Sequence, residues 1–361
     1  METEHLPMVL AFYRTAWGTG TDESETQPAL TSTSFERAPA VIAIRQQRII
    51  GYLGTLPMRL WKNDSEGDAH WFKGFMVVPE FRNGPVGFAL VREAMRHVDD
   101  VAVLTVQPAS WRLFQAAGLT HVGAVPNYLR VLRPARVAQR LNLARVPLGQ
   151  LPGWALSGAR LAQRTRLAGL AGAIGGAIAS GLVAVRGTGD AVTATPALDD
   201  PDRELNDAWN RMRSHVRFAQ ARDAAYVAAR YGGTDDTVFK CQRVLGRAGA
   251  AFTMVRRPRT GGDERLSGLS VAVLSDIIAP LDAPQLTLAA VRRAEEDARA
   301  MGADALVCSV SHASTARLLR RRAWFRIPAN LQFLARLKDG SVSTLDDWWL
   351  TRADGNSDEG F

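Results

Sequence analysis

The sequence predicts an α/β (α+β) chain of two similar halves, each a mixed, mostly antiparallel sheet flanked by helices, joined by a helical linker. Three observations carry this. An apolar strand, a Pro/Gly turn and an amphipathic helix follow one another over 75–95. The elements around them run helix, three strands, helix, strand, helix, strand. The order returns about 204 residues later, where 305–309 and Ala313-Ser314 echo 102–106 and Ala109-Ser110. A length of 361 residues agrees with two domains. The expected divisions are 1–133, a linker over 134–201, and 202–361.

In the first half, Val9, Leu10, Tyr13 and Trp17 fall at helical spacing. Residues 19–33 are polar and read as a loop. Strands are expected at 40–44 and 49–61 around a Gln46-Gln47 turn, then a charged turn over 62–68 and a strand over 70–78. Pro79 stops that strand because it has no N–H to donate. Arg82 to Gly87 is a tight turn, and Pro85 suits a first helical turn. Val86, Leu90, Val91, Ala94 and Val98 then share one helix face. The short apolar run 101–106 reads as a buried strand, and 110–117 as a helix ending at Gly118. The last strand or hairpin, 121–132, is expected to break at Pro126.

Between Asp100 and Asp190 there is no acidic residue, while arginines recur. Residues 167–185 are uncharged and rich in Gly and Ala. The glycines weaken a spanning helix about as much as the Leu, Ile and Val residues favour it. A helix packed between domains is the expectation. Peripheral membrane contact through 160–186 is the alternative. In the second half, strands are expected at 238–245, 250–256, 269–278, 305–310 and 331–337, with a hairpin turn over 258–264. Helical patterns cover 205–230, 284–301 and 314–322.

The net charge of +8 and pI near 10.0, with arginine far above lysine, point to an anionic partner such as a nucleotide phosphate or lipid headgroup. No helix-turn-helix spacing, zinc motif or aromatic–basic interleaving accompanies the charge, so no specific nucleic acid is expected. Cys241 and Cys308 make neither a metal spacing nor a disulfide framework. The acidic start, Met1-Glu2-Thr3-Glu4, has no signal-peptide pattern. A cytoplasmic protein is expected.

The 75–95 stretch offers backbone N–H groups at a helix start beside Arg82, the requirements of an anion site. It resembles the pyrophosphate-binding motif of the GCN5-related N-acetyltransferases, Val-x-Pro-Glu-Tyr/Phe-Arg-x-x-Gly-x-Gly/Ala. Val77, Pro79, Glu80, Phe81, Arg82 and Gly87 match; Pro85 replaces the first glycine, with Gly84 one place earlier. The resemblance implies two tandem acetyltransferase-like domains and an acyl-CoA co-substrate, acetyl-CoA first. It implies that Met76, Val77 and Val78 hold the pantetheine arm. It also implies that Asn83, Gly84, Val86, Gly87 and Phe88 meet the pyrophosphate through their amides. Glu80 is expected to cap or to pair with Arg82 or Arg92.

For the chemistry, a base is expected early on the same strand. His70 is best placed, because imidazole titrates near neutrality, with Asp68 and Glu66 behind it. The family often carries a tyrosine on its fourth helix that protonates the leaving thiolate. Phe114 stands there and has no proton to give, so either another group does this job, with Tyr128 or Tyr52 and water the candidates, or catalysis is weak. The second half lacks the anion turn, having 274–280 in its place, and is expected to shape a substrate groove. Arg222-Asp223-Ala224-Ala225-Tyr226 and the end from Trp348 to Asp354 resemble tandem acyltransferase-like proteins associated with exopolysaccharide and cell-envelope gene sets.

The leading expectation is therefore an N-acyltransferase acting on an amine, a cell-envelope or polysaccharide amine among the acceptors. One alternative is a non-catalytic acyl-CoA-binding or scaffold protein. The other is an aminoacyl-transferring enzyme of cell-wall peptides. A cysteine hydrolase at Cys308 and His312 is not supported, since no acid or oxyanion loop accompanies them.

Overall fold

A computed structural model describes 40–105, 108–140, 201–232, 238–260, 268–341 and 343–357, with a few positions before 13 and Leu266. The expected loop over 19–33, nearly all of the linker and the tip of the 258–264 turn lie outside the described residues. So do the 160–186 segment and most of the first helix.

The strands are β1 (Val41–Arg45), β2 (Arg48–Lys62), β3 (Ser65–Val77), β4 (Val101–Thr105) and β5 (Thr120–Val131) in the first half. Helix α1 (Val86–His97) joins β3 to β4, α2 (Pro108–Ala116) joins β4 to β5, and α3 (Pro134–Arg140) follows. In the second half come α4 (Pro201–Arg213), β6 (Phe218–Gln220), α5 (Ala224–Tyr231), β7 (Phe239–Gly246), β8 (Gly249–Thr260) and β9 (Ser270–Ile278). They are followed by α6 (Pro284–Ala300), β10 (Ala305–Ser309), α7 (Ala313–Arg321), β11 (Phe325–Arg336) and β12 (Trp348–Trp349).

Local chemistry explains most of these elements. Gln46 and Gln47 both have positive φ, 49° and 61°, as do Asn63 and Asp64, 48° and 66°. Two successive positive-φ residues make the hairpin turn whose twist matches its strands. The second turn corrects an expectation: β3 begins at Ser65, not near 70. Residues 65–68 are polar and exposed, so no burial pattern marked them as strand. Helix α1 buries Gly87, Leu90, Val91 and Ala94 at helical spacing. They pack with Leu53, Phe72, Val77, Val103, Phe114 and Leu334 in one apolar cluster.

Over the described residues the chain forms two compact units that are not contiguous in sequence. Unit 1 draws on 1–124 and 330–345, unit 2 on 125–329 and 346–361. In unit 1, β1, β2 and β3 are antiparallel neighbours, β3 runs parallel to β4, and β4 pairs antiparallel with β11 from Val101↔Arg336 to Thr105↔Gln332. In unit 2, β7, β8 and β9 are antiparallel neighbours, β9 runs parallel to β10, and β10 pairs antiparallel with β5 from Ala305↔Val131 to Ser309↔Asn127.

The two units thus have the same plan, and each is closed by a strand from the other half of the sequence. β5 is continuous through Pro126, where a break was expected. Pro126 and its counterpart Pro328 in β11 sit close to the positions where their strands pass from one unit to the other. The expected boundaries at 133 and 202 both fall within the range of unit 2.

Candidate acyl-donor site

The site is built where β3 gives way to α1 in unit 1. Val78 N–H still donates to Ile50 O at 3.0 Å. Pro79, Glu80 and Phe81 then form a single 3₁₀ turn, with Phe81 N–H donating to Val78 O at 3.0 Å and Arg82 N–H to Pro79 O at 3.3 Å. Gly84 N–H donates to Phe81 O at 3.1 Å. This corrects one assignment: the Gly84 amide closes the turn and is not available to a ligand.

Pro85 stands at the N-cap of α1 and offers no side-chain hydrogen bond, and the first turn holds no acidic residue. The first backbone bond into this helix is Ala89 N–H to Pro85 O, 2.9 Å. The N–H groups of Val86, Gly87 and Phe88 therefore have no backbone acceptor among the described residues. They carry the positive end of the helix dipole. Arg82 is exposed, and its Nε donates to Val77 O at 3.0 Å, which anchors one edge of the guanidinium to the strand end. The Arg45 guanidinium lies 5.3 Å from the Phe81 ring centroid and that of Arg92 5.9 Å from the Phe88 ring centroid. Glu80 is exposed and makes no ion pair among the described residues, so the expected pairing with Arg82 or Arg92 does not form.

Gly87 has a second role. A Cβ there would lie 2.8 Å from Leu113 Cδ1 and 3.1 Å from Phe75 Cζ. The glycine lets α1 settle onto β3 and α2.

Beside this turn the sheet opens. β3 is in register with β4 at only His70↔Val101 and Trp71↔Ala102. Beyond Trp71, no β4 residue faces β3. Pairing with β2 steps from Gly54↔Lys73 to Tyr52↔Met76, so Gly74 and Phe75 together oppose Leu53. Gly74 has φ 68°. A bulge with a left-handed glycine bends its strand, and here it lies where β3 leaves β4. Met76 is half-buried and Val77 and Val78 buried along this stretch. The sequence reading missed Gly74, although an isolated glycine inside a strand pattern is a bulge signal.

The candidate catalytic groups are spread out. His70 lies at the closed end of the fork, half-buried, with its N–H donating to Asp100 O at 2.9 Å. Seven residues of strand put it roughly 20 Å from Val77. Tyr128 belongs to unit 2, where it is buried opposite Cys308; burial raises its phenol pKa. Tyr52 is buried on β2 with its hydroxyl over Gly54. Glu66 is exposed and 3.4 Å from Arg59, and Asp68 is exposed. Phe114 is fully buried, with ring centroids 6.0 Å from Phe72 and 5.2 Å from Phe75. Cys308 is fully buried and its thiol is pushed up to about 12 by burial, which leaves it inert as a nucleophile.

The corresponding fork of unit 2 is filled by the chain itself. β9 and β10 stay in register from Ala305↔Val271 to Cys308↔Leu274. Beyond them Ser311 N–H donates to Leu350 O at 3.1 Å, Val310 bridges Thr351, and Ala353 N–H donates to Ser275 O at 3.0 Å. The segment is held by a buried network. Arg222 Nε lies 3.1 Å from both Asp276 carboxylate oxygens, and its Nη2 donates to Asp354 Oδ2 at 2.7 Å. Tyr226 and Thr351 hydroxyls donate to Asp276. The two motifs singled out in the second half therefore meet in one polar cluster.

No protein-family model and no curated protein sequence matches the chain. Solved structures do. A GCN5-related N-acetyltransferase from Anabaena variabilis is 13% identical with a TM-score of 0.54, over 93% of this chain and 71% of that one. Saccharomyces cerevisiae N-myristoyltransferase with bound myristoyl-CoA is 12% identical with a TM-score of 0.57, over 93% and 80%. A protein from Enterococcus faecalis described as a probable N-acyltransferase is 11% identical with a TM-score of 0.53, over 94% and 71%. The fold is one shared by N-acyltransferases. More narrowly, it is the fold of the GCN5-related N-acetyltransferase superfamily. Among the described residues no helix is long and apolar enough to cross a membrane.

Proposed function

We propose that the chain is an acyl-CoA-dependent N-acyltransferase whose donor site is the fork of unit 1, with acetyl-CoA the first donor to test. One observation carries the reading. The uncapped N–H groups of Val86, Gly87 and Phe88, with Arg82 docked on Val77 O, stand at the open end of a bulged strand edge. A diphosphate at that helix start would be held by backbone N–H donors and a guanidinium. Asn83 would add its amide. The thioester arm would then lie along Met76, Val77 and Val78. Transfer forms a C–N bond to an amine and breaks the C–S bond; the amine loses a proton and the departing thiolate takes one. A strand amide near Val77 is the oxyanion donor in this reading. His70, the expected base, stands roughly 20 Å along the strand from Val77 and is given no role in the transfer itself. Tyr128, the expected acid, belongs to unit 2, where burial raises its phenol pKa and makes it a weaker proton donor, so it is given no role at this fork.

We read 1–133 and 202–361 as two acetyltransferase-like repeats that have exchanged closing strands. The acceptor is an amine, with cell-envelope and polysaccharide amines the first to try. Free acyl-CoA as donor fits a cytoplasmic site of action.

A second reading, a binding protein without turnover, is favoured by Phe114, which buries a phenyl ring where the resemblance expects a phenol. Titration calorimetry of the full chain with acetyl-CoA and longer acyl-CoAs tests the first reading. Binding that weakens at least tenfold in R82A is expected. No heat at millimolar ligand would sink the donor site. Binding with no turnover over a panel of amines would select the second reading.

A further inference from the structure

Unit 2 has no free fork, yet it retains a cleft on its helical side. The cleft has a volume of about 310 Å³ and lies between the start of α6 and α7, lined by Leu281, Pro284, Thr287, Ser314, Arg317 and Arg321 among others. Among the described residues no acidic side chain lines it. The order strand β9, loop, α6, strand β10, α7 repeats the order β3, turn, α1, β4, α2 of unit 1. By this order α6 and α7 correspond to α1 and α2 of unit 1, and the cleft lies beside the start of the helix that matches α1.

Its electrostatics are one-sided. On one face of α7, Arg317, Arg320 and Arg321 are exposed and make no ion pair among the described residues. Their neighbour Arg322 shows the contrast: its Nε and Nη2 reach Glu295 at 3.1 and 2.9 Å. The nearest acid before α6, Asp282, is engaged by Arg211 at 2.8 Å. Unpaired arginines on one helix face beside a cavity raise the local potential for an anion. Arg317 Nη2 donates to Ser314 Oγ at 2.7 Å, which holds the guanidinium against the first turn of α7. That turn has no side-chain cap and no acid, and its first backbone bond is Ala316 N–H to His312 O at 3.0 Å. Burial lowers the pKa of His312, so the imidazole at the cap adds no charge of its own near neutrality.

We propose that this cleft is a second anion site, which takes a small phosphate ester or diphosphate between Arg317, Arg321 and the Ser314 turn. It is not a second acyl-CoA site. The place a thioester arm would need between β9 and β10 is filled by Leu350 to Ala353. The site therefore serves an acceptor or effector that carries phosphate. The cavity's size selects a small ligand over a polynucleotide.

The test is calorimetric titration of inorganic pyrophosphate into the full chain at low ionic strength, where charge pairing is least screened. Wild type, R317A/R321A and R82A are compared. One class of sites is expected to weaken at least tenfold in R317A/R321A and to persist in R82A. Because both arginines are exposed, the double variant should melt as wild type does. An isotherm unchanged by R317A/R321A would overturn the proposal. So would a short RNA that binds through these arginines when pyrophosphate does not. Failure of the unit 1 donor site would appear separately, as the absence of any R82A-sensitive component.

Discussion

The buried cluster around Arg222 makes a quantitative prediction for Asp354→Asn. Asp276, Asp354 and Arg222 are all fully buried, so two carboxylates share one guanidinium. Asp276 meets its Nε with both oxygens, whereas Asp354 uses Oδ2 alone and its Oδ1 has no hydrogen-bond partner among the described residues. Burial, only partly offset by Arg222, raises the Asp354 carboxyl from its ordinary 3.8 to about 6. The folded chain then holds this proton more tightly than the unfolded chain. The stability it contributes is complete below 3.8 and is lost as pH rises through about 6. A pKa moved that far corresponds to about 3 kcal/mol between the acid and neutral limits. Asparagine cannot titrate, so D354N should lose that component of the pH dependence whatever its absolute stability. The assay is hydrogen exchange of the segment around Leu350 to Asp354 across a urea series, at pH values from about 4.5 to about 7.5. Equal pH slopes in D354N and wild type would refute the claim that the second carboxylate holds a proton.

Two further outcomes follow from unit 1. Gly74→Ala places a side chain at φ 68° and should cost about 1–2 kcal/mol. It should also weaken acetyl-CoA binding, because the bulge shapes the strand edge; a neutral effect on both in urea denaturation and calorimetry would remove the bulge from the argument. Phe114→Tyr should not restore proton donation, because the ring is enclosed by Phe72 and Phe75, and a buried hydroxyl without a partner costs about 1–3 kcal/mol. A rise in turnover in F114Y would show that position 114 reaches the thiolate after all.

Much of the candidate donor site was legible in the chain. The strand over 75–78, the proline stop and the apolar face Leu90, Val91 and Ala94 are local patterns, and they fold as read. The fate of individual amides was not. Gly84 was expected to offer its N–H, but a residue's type does not tell which carbonyl lies within reach, and Phe81 O takes it. Phe114 was read by its missing hydroxyl, while its burial against Phe72 and Phe75 became visible only in three dimensions. The start of β3 was hidden because Ser65 to Asp68 face solvent, and an exposed hairpin arm has no hydrophobic period.

The amino-acid sequence alone determined the two-half α/β plan, the hairpin at Gln46-Gln47, the buried strands and the helix start at Pro85. Each is encoded within a window of a dozen residues by periodicity, proline and glycine. Tertiary structure decided the exchange of β5 and β11, the opening of one fork and the filling of the other by Leu350 to Ala353. Those depend on pairing between strands far apart in the chain. A buried face records that a strand has a neighbour; it does not record which one.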